Sequence, residues 1–135
     1  IETVKLAWEL CGADVRILDP ETHDRVFAAI SHLPHLLAFA LVDEFAKRGN
    51  AEQLFDYAAA GFRDFTRIAG SHPEMWRDIS LANRTALLAE LDRYNAALMR
   101  LRQALVNSDG ESLAEIYTNA RDQPRTGRIN RRKDA

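Results

Sequence analysis

The sequence predicts an all-α domain, and three kinds of pattern support that fold class. The run from Val26 to Val42 is almost wholly apolar, which indicates a helix buried on all sides. Apolar residues recur with helical spacing in the segments that follow it. Capping residues, prolines and glycines stand at the boundaries expected for those helices. Only the first segment of the chain is predicted to include a strand.

That first segment, Ile1–Leu18, is predicted to be a helix followed by a short strand. Apolar residues recur with helical spacing up to Cys11, and Gly12 supplies a C-terminal stop. Apolar residues then alternate through Ala13–Leu18, which is typical of a strand. Because one helix and one strand cannot form a sheet, we interpret residues 1–18 as the trailing edge of a separate α/β domain.

The second segment begins at Asp19, a good N-cap, with Pro20 at the first helical position. We expect this helix to run to Lys47 or Arg48. Pro34 cannot donate a hydrogen bond to the carbonyl four residues before it, and its ring crowds that carbonyl. The helix is therefore predicted to kink or loosen at this proline.

Two helices are predicted between residues 50 and 83. The first begins near Ala51, with Asn50 and Gln53 spaced as a capping pair, and Gly70 ends it. The second is short and begins at Pro73. Four of its residues are expected to face inward: Met75, Trp76, Ile79 and Ala82.

A longer helix is predicted over about residues 84–107, with an apolar seam whose members alternate three and four residues apart. Such a seam packs either within one bundle or against a second copy of the chain. Ser108 and Glu111 form a capping box for a last helix, which Pro124 ends. The basic segment 125–135 is expected to be a disordered tail. The seam consists of Leu87, Leu91, Tyr94, Leu98, Leu101 and Leu105.

Composition and charge exclude several classes of function. A formal net charge of −2 argues against nucleic acid as the main partner. The single cysteine, Cys11, excludes an internal disulfide and favours a reducing compartment. The run from Val26 to Val42 is short for a membrane span and contains polar residues, so we interpret it as a core helix. The chain contains no Gly-x-Gly-x-x-Gly, so it lacks the fingerprint that cradles a dinucleotide.

The first candidate functional residues are Ser31, His32 and His35, which flank the helix-loosening proline. A buried polar group without a partner costs about 1–3 kcal/mol, so several at one kink indicate a lined cleft. A substrate contact and a structural pair bonded to the backbone are both open interpretations. A zinc site would need a third ligand, for which His23 or Asp43 could be proposed. A serine and a histidine four residues apart on one helix do not support nucleophilic catalysis.

The second group of candidates is a charged ridge of Arg63, Asp64 and Arg67 on an otherwise apolar segment. A ridge of this kind is often a solvated face, with Asp64 and Arg67 as a surface pair worth under about 1 kcal/mol. The alternative is that the planar fork of Arg67 binds a carboxylate.

Four sequence motifs follow one another along the chain. They are His23-Asp24, Ser31-His32-Leu33-Pro34-His35, Gly61-Phe62-Arg63-Asp64-Phe65-Thr66-Arg67-Ile68-Ala69 and Met75-Trp76-Arg77-Asp78-Ile79. In this order they resemble the C-terminal domain of bacterial prephenate dehydrogenases, a family that includes arogenate and cyclohexadienyl dehydrogenases. The resemblance runs from about residue 8 to about residue 105, and it departs from the family at Ala60, where a glycine is common.

The resemblance implies a helical dimerisation domain over 19–124, like the C-terminal domain of 6-phosphogluconate dehydrogenase. Residues 1–18 would be the residual helix and strand of a Rossmann domain. It implies a cytoplasmic homodimer with entwined helices that oxidatively decarboxylates prephenate or arogenate with NAD or NADP in tyrosine biosynthesis. The catalytic base and the cofactor site belong to the family's N-terminal domain. This chain is therefore expected to be inactive alone, with no cofactor, metal, nucleic-acid or membrane partner.

The resemblance also implies roles in substrate binding. Arg67 is expected to face the ring carboxylate of the substrate, and the residues of the kink are expected to face its side-chain end. Trp76 is either plain core or an aromatic residue that reaches the cleft of a neighbouring subunit. Tyrosine, as a feedback inhibitor, would occupy the same cleft. The predicted substrate-binding residues are Ser31, His32, His35, Gly61, Asp64, Arg67 and Trp76.

Two alternatives stay open. In the first, the chain is a non-catalytic helical interaction module, and the polar residues at the kink are structural. In the second, it is the helical domain of another dehydrogenase that acts on a different anionic substrate.

Overall fold

The computed structural model describes residues 1–123, and every regular element in that part of the chain is helical. The all-α prediction is therefore confirmed. The expectations for Pro124 and the tail 125–135 lie outside the described residues. The chain divides into two compact units, Ile1–Leu91 and a second that begins at Asp92. The helices are α1 (Glu2–Leu10), α2 (Pro20–Phe27), α3 (Leu33–Ala46), α4 (Ala51–Asp56), α5 (Ala60–Thr66), α6 (Pro73–Ala82), α7 (Arg84–Val106) and α8 (Gly110–Asp122).

Helix α1 ends where the sequence predicts, at Gly12, whose φ of 86° is left-handed. The amide of Ala13 donates to the carbonyl of Trp8 and the amide of Gly12 donates to that of Glu9, which is a Schellman motif. Residues 13–18 form no regular element in the described chain, and the predicted strand stays a prediction. A strand needs a hydrogen-bonded neighbour, and the described residues contain no second strand to pair with it.

The long second segment is confirmed as helical, and it loosens where Pro34 predicts. Asp19 caps α2 by accepting a hydrogen bond from the amide of Thr22. Between α2 and α3 the chain forms one π-helical turn, Ala28–His32, in which the amide of Leu33 reaches back to the carbonyl of Ala28. The wider turn accommodates a proline that cannot take part in α-helical bonding.

The expectation that this segment is buried on all sides is wrong for the chain as described. Only Ala28, Leu33 and Ala38 are buried in it, whereas Ile30 is 67% exposed. Most of its other residues are partly or fully exposed in the described chain. By length and apolar content, residues 20–46 also meet the criterion for a membrane-crossing helix, which many core helices of globular proteins meet as well.

Helix α3 organises the first unit by packing against α4, α5 and the 3₁₀ turn Arg67–Gly70. Contacts between aromatic rings contribute to this packing. Phe45 of α3 stacks on Phe62 of α5 with 5.7 Å between ring centroids, and Phe55 of α4 lies 6.1 Å from the same ring. The segment that carries the charged ridge is thereby fixed against α3.

The single helix predicted from about residue 51 to 69 is wrong. The structure has α4, an irregular link, α5 and the 3₁₀ turn in its place. Ala59 is extended, with ψ of 176°, and the freed carbonyl of Ala58 accepts a hydrogen bond from the guanidinium of Arg63. The predicted capping by Asn50 is also wrong, because its backbone (φ −113°, ψ 27°) lacks the extended N-cap conformation and its side chain caps nothing.

Helices α6 and α7 begin where the sequence predicts. Of the four α6 residues expected to face inward, Trp76 and Ile79 are half-buried, whereas Met75 and Ala82 are exposed. The seam of α7 starts buried at Leu87, which is 6% exposed. It becomes open to solvent further along, since Leu98 is 43% exposed and Leu105 is 63% exposed.

The predicted capping box at Ser108 is wrong, and the N-cap of α8 is Asp109, whose carboxylate accepts from the amide of Ser112. Ser108 instead ends α7 with a φ of 52°, the left-handed region. The amide of Asp109 donates to the carbonyl of Ala104 and that of Ser108 to Leu105, a Schellman motif with serine in the usual place of glycine.

Candidate functional site

The π-helical turn and the start of α3 position the two histidines of the predicted cleft. The imidazole of His35 lies 2.8 Å from the carbonyl oxygen of Ser31, through Nδ1. Because a carbonyl oxygen only accepts, Nδ1 of His35 carries the proton and its Nε2 is an acceptor when the ring is neutral. The backbone carbonyl of Ser31 thus orients the His35 ring.

Trp76, on α6, brings the two histidines together. Its indole stacks on the ring of His35 with centroids 3.6 Å apart and planes 19° apart. The ring of His32 meets the same indole edge-on, with 6.1 Å between centroids and 76° between planes. The indole Nε1–H of Trp76 is buried and has no acceptor among residues 1–123. Trp76 therefore supplies both a flat apolar wall and an unsatisfied hydrogen-bond donor.

His32 is held on its other side by Asn83, whose side-chain nitrogen lies 3.2 Å from Nδ1 of His32. The pKa of His32 is lowered, mainly by partial burial and also by the neighbouring His23 and His35. The carboxylate of Asp24 acts in the opposite direction and raises this pKa. His32 is consequently neutral at pH 7, which suits an Nδ1 that accepts a hydrogen bond.

The sequence analysis missed Asn83. The only local signal was its position just after α6, because asparagine is common at helix C-termini. Its partners lie 51 and 59 residues away along the chain, and no local pattern encodes such contacts.

Two open hollows adjoin this cluster. One, of about 360 Å³, lies between α2 and α6, and the ring of His23 forms part of its wall by stacking on Phe27 at 4.4 Å. The other, of about 230 Å³, lies against Trp76 between α3 and α6 and is mostly apolar. The first is lined by His23, Asp24, Phe27, His32, Ile79, Ala82 and Asn83.

The second group of predicted residues lies apart from this cluster. Gly61, Asp64 and Arg67 are exposed on α5 and the 3₁₀ turn, and no described contact joins them to the histidines. Within residues 1–123, neither Asp64 nor Arg67 has an ion-pair partner, so the surface pair considered for them does not form. A Cβ added to Gly61 would meet no atom within 4 Å, so no part of the described chain approaches it closely.

The chemistry of this arrangement is recognition. In their neutral forms the His32 ring offers a donor at Nε2 and the His35 ring an acceptor at Nε2, the indole has a buried donor, and the guanidinium of Arg67 has no partner within residues 1–123. Between residues 1 and 123, no three His, Cys, Asp or Glu side chains are grouped to hold a metal ion. The set suits a flat ligand that carries carboxylate and other oxygen groups.

Comparisons with known proteins identify a family with the same helical fold. Residues 19–119 match the family model described as the prephenate dehydrogenase dimerization domain. The cyclohexadienyl dehydrogenase of Zymomonas mobilis is 39% identical over 112 residues, which cover 82% of this chain and 38% of that protein. The crystal structure of Aquifex aeolicus prephenate dehydrogenase with hydroxyphenyl propionate and NAD+ superposes with a TM-score of 0.81 at 41% identity, over 89% of this chain and 42% of that one.

The structure of Synechocystis arogenate dehydrogenase is also similar, with a TM-score of 0.78 at 27% identity, over 89% of this chain and 44% of that chain. The chain thus spans less than half the length of these relatives. On the extent of the family match, the chain belongs to the family of prephenate dehydrogenase dimerization domains.

Proposed function

We propose that this chain is the dimerisation and substrate-recognition part of an NAD(P)-dependent dehydrogenase that acts on prephenate or arogenate. The observation that carries the proposal is the cluster of His32, His35 and Trp76 at the π-helical turn. The names of the relatives indicate the substrate class, since they are cyclohexadienyl, prephenate and arogenate dehydrogenases. The A. aeolicus structure is a complex with hydroxyphenyl propionate and NAD+.

The chemistry of the substrate matches the groups on offer. Prephenate has a flat ring and two carboxylates, and arogenate has the same ring with an amino-acid side chain. The indole and imidazole rings provide apolar faces for such a ring. The fork of Arg67, which has no partner within residues 1–123, suits the ring carboxylate, and the donors and acceptors of His32 and His35 suit the side-chain end. Gly61 and Asp64 belong to the same proposed site as Arg67.

The cofactor, NAD or NADP, is proposed to bind outside this chain. The described residues contain no strand followed by a glycine-rich turn and a helix, which is the arrangement that cradles a pyrophosphate. The cofactor would supply a hydride acceptor for the ring carbon that bears the hydroxyl; the hydroxyl proton would pass to a base outside this chain, and loss of carbon dioxide would make the ring aromatic. The part played by this chain is to bind and orient the carboxylates and to exclude water from the ring.

We also propose that the protein is a cytoplasmic homodimer and that tyrosine competes for the cleft, since tyrosine shares a ring and a carboxylate with the substrate and product. The support for a dimer is the exposed apolar surface of α7, where Leu98 is 43%, Met99 55%, Leu105 63% and Val106 61% exposed. Large apolar surfaces of this kind are typical of interfaces between subunits.

The test is an activity assay on the protein as its own gene encodes it, with prephenate or arogenate and with NAD+ or NADP+. We expect reduction of the nicotinamide with at least one pair, together with formation of 4-hydroxyphenylpyruvate or tyrosine. The 135-residue chain assayed by itself should be inactive. Absence of turnover with all four pairs would contradict the proposal and favour a helical interaction module or a dehydrogenase with another substrate.

A matched pair of variants ties the activity to the cluster. His35→Ala should raise KM or weaken tyrosine inhibition, because the substitution removes the imidazole that stacks on Trp76 and is proposed to contact the ligand. His72→Ala removes an exposed histidine outside the cluster and should leave KM unchanged. Equal kinetics in the two variants would remove His35 from the site.

A further inference from the structure

Asn83 lies at the junction of α6 and α7, and hydrogen bonds to both helices hold its backbone in place. Its amide donates to the carbonyl of Ile79 in α6, and its carbonyl accepts from the amide of Leu87 in α7, both at 3.0 Å. The residue is only 8% exposed and is the one buried polar residue among residues 1–123. A buried amide side chain is costly unless its hydrogen bonds are satisfied, so its partners define its role.

The side-chain nitrogen of Asn83 has two acceptors. It lies 2.8 Å from the backbone carbonyl of Asp24 and 3.2 Å from Nδ1 of His32. A carbonyl oxygen only accepts, so the atom facing Asp24 must be the NH2 group and not the amide oxygen. The same NH2 group then donates its second hydrogen to His32. Nδ1 of His32 must therefore be unprotonated, and the proton of the neutral ring must be on Nε2.

We infer that Asn83 is a positioning residue for ligand recognition, which fixes the ring of His32 so that its Nε2–H is a permanent donor to an oxygen of the bound anion. The inference rests on the proposed function and extends it. His32 then differs from His35, whose Nδ1–H is held by a carbonyl and whose Nε2 accepts. A carboxylate or keto oxygen at the side-chain end of the substrate is the ligand group that an Nε2–H donor selects.

The charges around His32 are compatible with this assignment. The titratable groups that face it are His23 and Asp24 on α2 and His35 on α3, and α6 presents Trp76 and Ile79. Burial and the two histidines lower the pKa of His32, while Asp24 raises it. The neutral ring is thus the form that the site favours, and only a neutral ring accepts from Asn83.

The decisive variant is Asn83→Asp, which keeps the shape but replaces the donor with a carboxylate. The carboxylate accepts a proton from Nδ1, so the neutral ring of His32 loses its Nε2–H. Protonation restores that donor, because an imidazolium carries both hydrogens. A carboxylate this close also raises a histidine pKa by about 1–3 pH units.

The first measurement is ¹⁵N NMR of the histidine rings in the 135-residue chain, and it needs no substrate. In the unsubstituted chain we expect the Nε2–H form at His32. In Asn83→Asp we expect the Nδ1–H form and a pKa raised by at least about one pH unit. Asn50→Leu removes an exposed asparagine that caps nothing and should leave the His32 signals unchanged. An Nδ1–H form in the unsubstituted chain would overturn the inference without any variant.

The second measurement is the pH dependence of KM in the gene-encoded protein. For Asn83→Asp we expect KM to be about tenfold higher than in the unsubstituted protein at pH 8, the effect of one charge-assisted hydrogen bond. The difference should shrink at pH 6, where the imidazolium regains its donor, while kcat changes little. A structural role for Asn83 predicts no recovery at low pH, and that result would overturn the inference.

Two further variants separate the effect of the new carboxylate charge from the effect of losing the orientation of the His32 ring. In a His32→Gln background, Asn83→Asp should no longer make KM depend on pH, whereas repulsion between the new carboxylate and the substrate would persist. Asn83→Leu should raise KM less, and at all pH values, because the ring loses its orientation without a tautomer change. If the protein turns over neither prephenate nor arogenate, the proposed function fails, and the NMR spectra still support or overturn the tautomer assignment.

Discussion

Arg63 and Arg67 are four residues apart in one charged ridge, yet their guanidinium groups have different surroundings. Arg63 donates to the free carbonyl of Ala58 at the break before α5. The guanidinium of Arg67, by contrast, has neither a hydrogen-bond nor an ion-pair partner within residues 1–123. The two residues therefore form a natural pair for distinguishing a role in folding from a role in binding.

Arg67→Ala in the gene-encoded protein should raise KM at least about tenfold, because a bidentate carboxylate contact is worth about 1.5–3 kcal/mol. Arg67→Lys should recover only part of this effect, since lysine keeps the charge and loses the fork. Arg63→Ala should instead lower the melting temperature and leave KM unchanged. Steady-state kinetics with thermal melting decide the matter, and a lower melting temperature with normal KM in Arg67→Ala would assign Arg67 to folding.

Gly61→Ala tests whether a ligand or a second subunit lies close to that glycine. The added methyl meets no described atom within 4 Å and φ is not positive, so the melting temperature should stay equal or rise. We expect kcat/KM to fall nonetheless, because the methyl would meet the bound substrate. Gly49→Ala, at another open glycine, is the control and should leave activity unchanged. Full activity in Gly61→Ala would remove this residue from the predicted site.

The lowered pKa of His32 makes stability depend on pH in a defined direction. The unfolded chain takes up this proton near pH 6.5, whereas the folded chain does so only at lower pH. The contribution of His32 to the free energy of unfolding is thus complete above about pH 6.5 and is lost as the pH falls towards the lowered pKa. His32→Gln should lose less melting temperature between pH 7.5 and 5.5 than the unsubstituted chain. His72→Gln, at an exposed histidine, should behave like the unsubstituted chain.

At the scale of elements, local signals predicted the boundaries that depend on local bonding. Asp19 caps α2, Gly12 ends α1, and Pro34 coincides with the π-helical turn. The break between α4 and α5 falls in a run of alanines, which give no local signal for it, and both helices pack against α3. The hydrogen bond between Asn83 and His32 could not be predicted either, since it joins residues that are 51 positions apart in the sequence.

Ser108 is an element-scale feature whose effect can be measured. Its φ of 52° strains a side chain with a Cβ, and glycine adopts that conformation freely. Ser108→Gly should therefore stabilise the chain by about 0.5–1 kcal/mol. Asp109→Ala removes the cap of α8 and should cost about 1 kcal/mol. Urea unfolding at one fixed protein concentration measures both changes. Destabilisation by Ser108→Gly would show that the serine side chain contributes more than its backbone strain costs.

At the scale of the whole molecule, the 135-residue chain should be a dimer in solution. Light scattering at about 10 μM should give twice the 15.3 kDa of one chain, because the apolar seam of α7 is too exposed for a stable monomer. Leu98→Glu and Leu105→Glu place charges on that seam and should shift the mass towards one chain. Gln103→Glu adds a charge to the same helix outside the seam and should not. A monomer without any substitution would assign the seam to packing within one chain.

The scarcity of buried residues has a further consequence, for how the protein acquires its structure. Among residues 1–123 the buried apolar side chains are Ala28, Leu33, Ala38, Leu87 and Ala104, of which three are alanines. So small an interior contributes little of the free energy that offsets chain entropy. In the proposed homodimer the second chain supplies much of that energy, so folding becomes a bimolecular reaction. Dilution alone should then unfold the protein, and refolding should follow second-order kinetics, with a rate set by how often two chains meet.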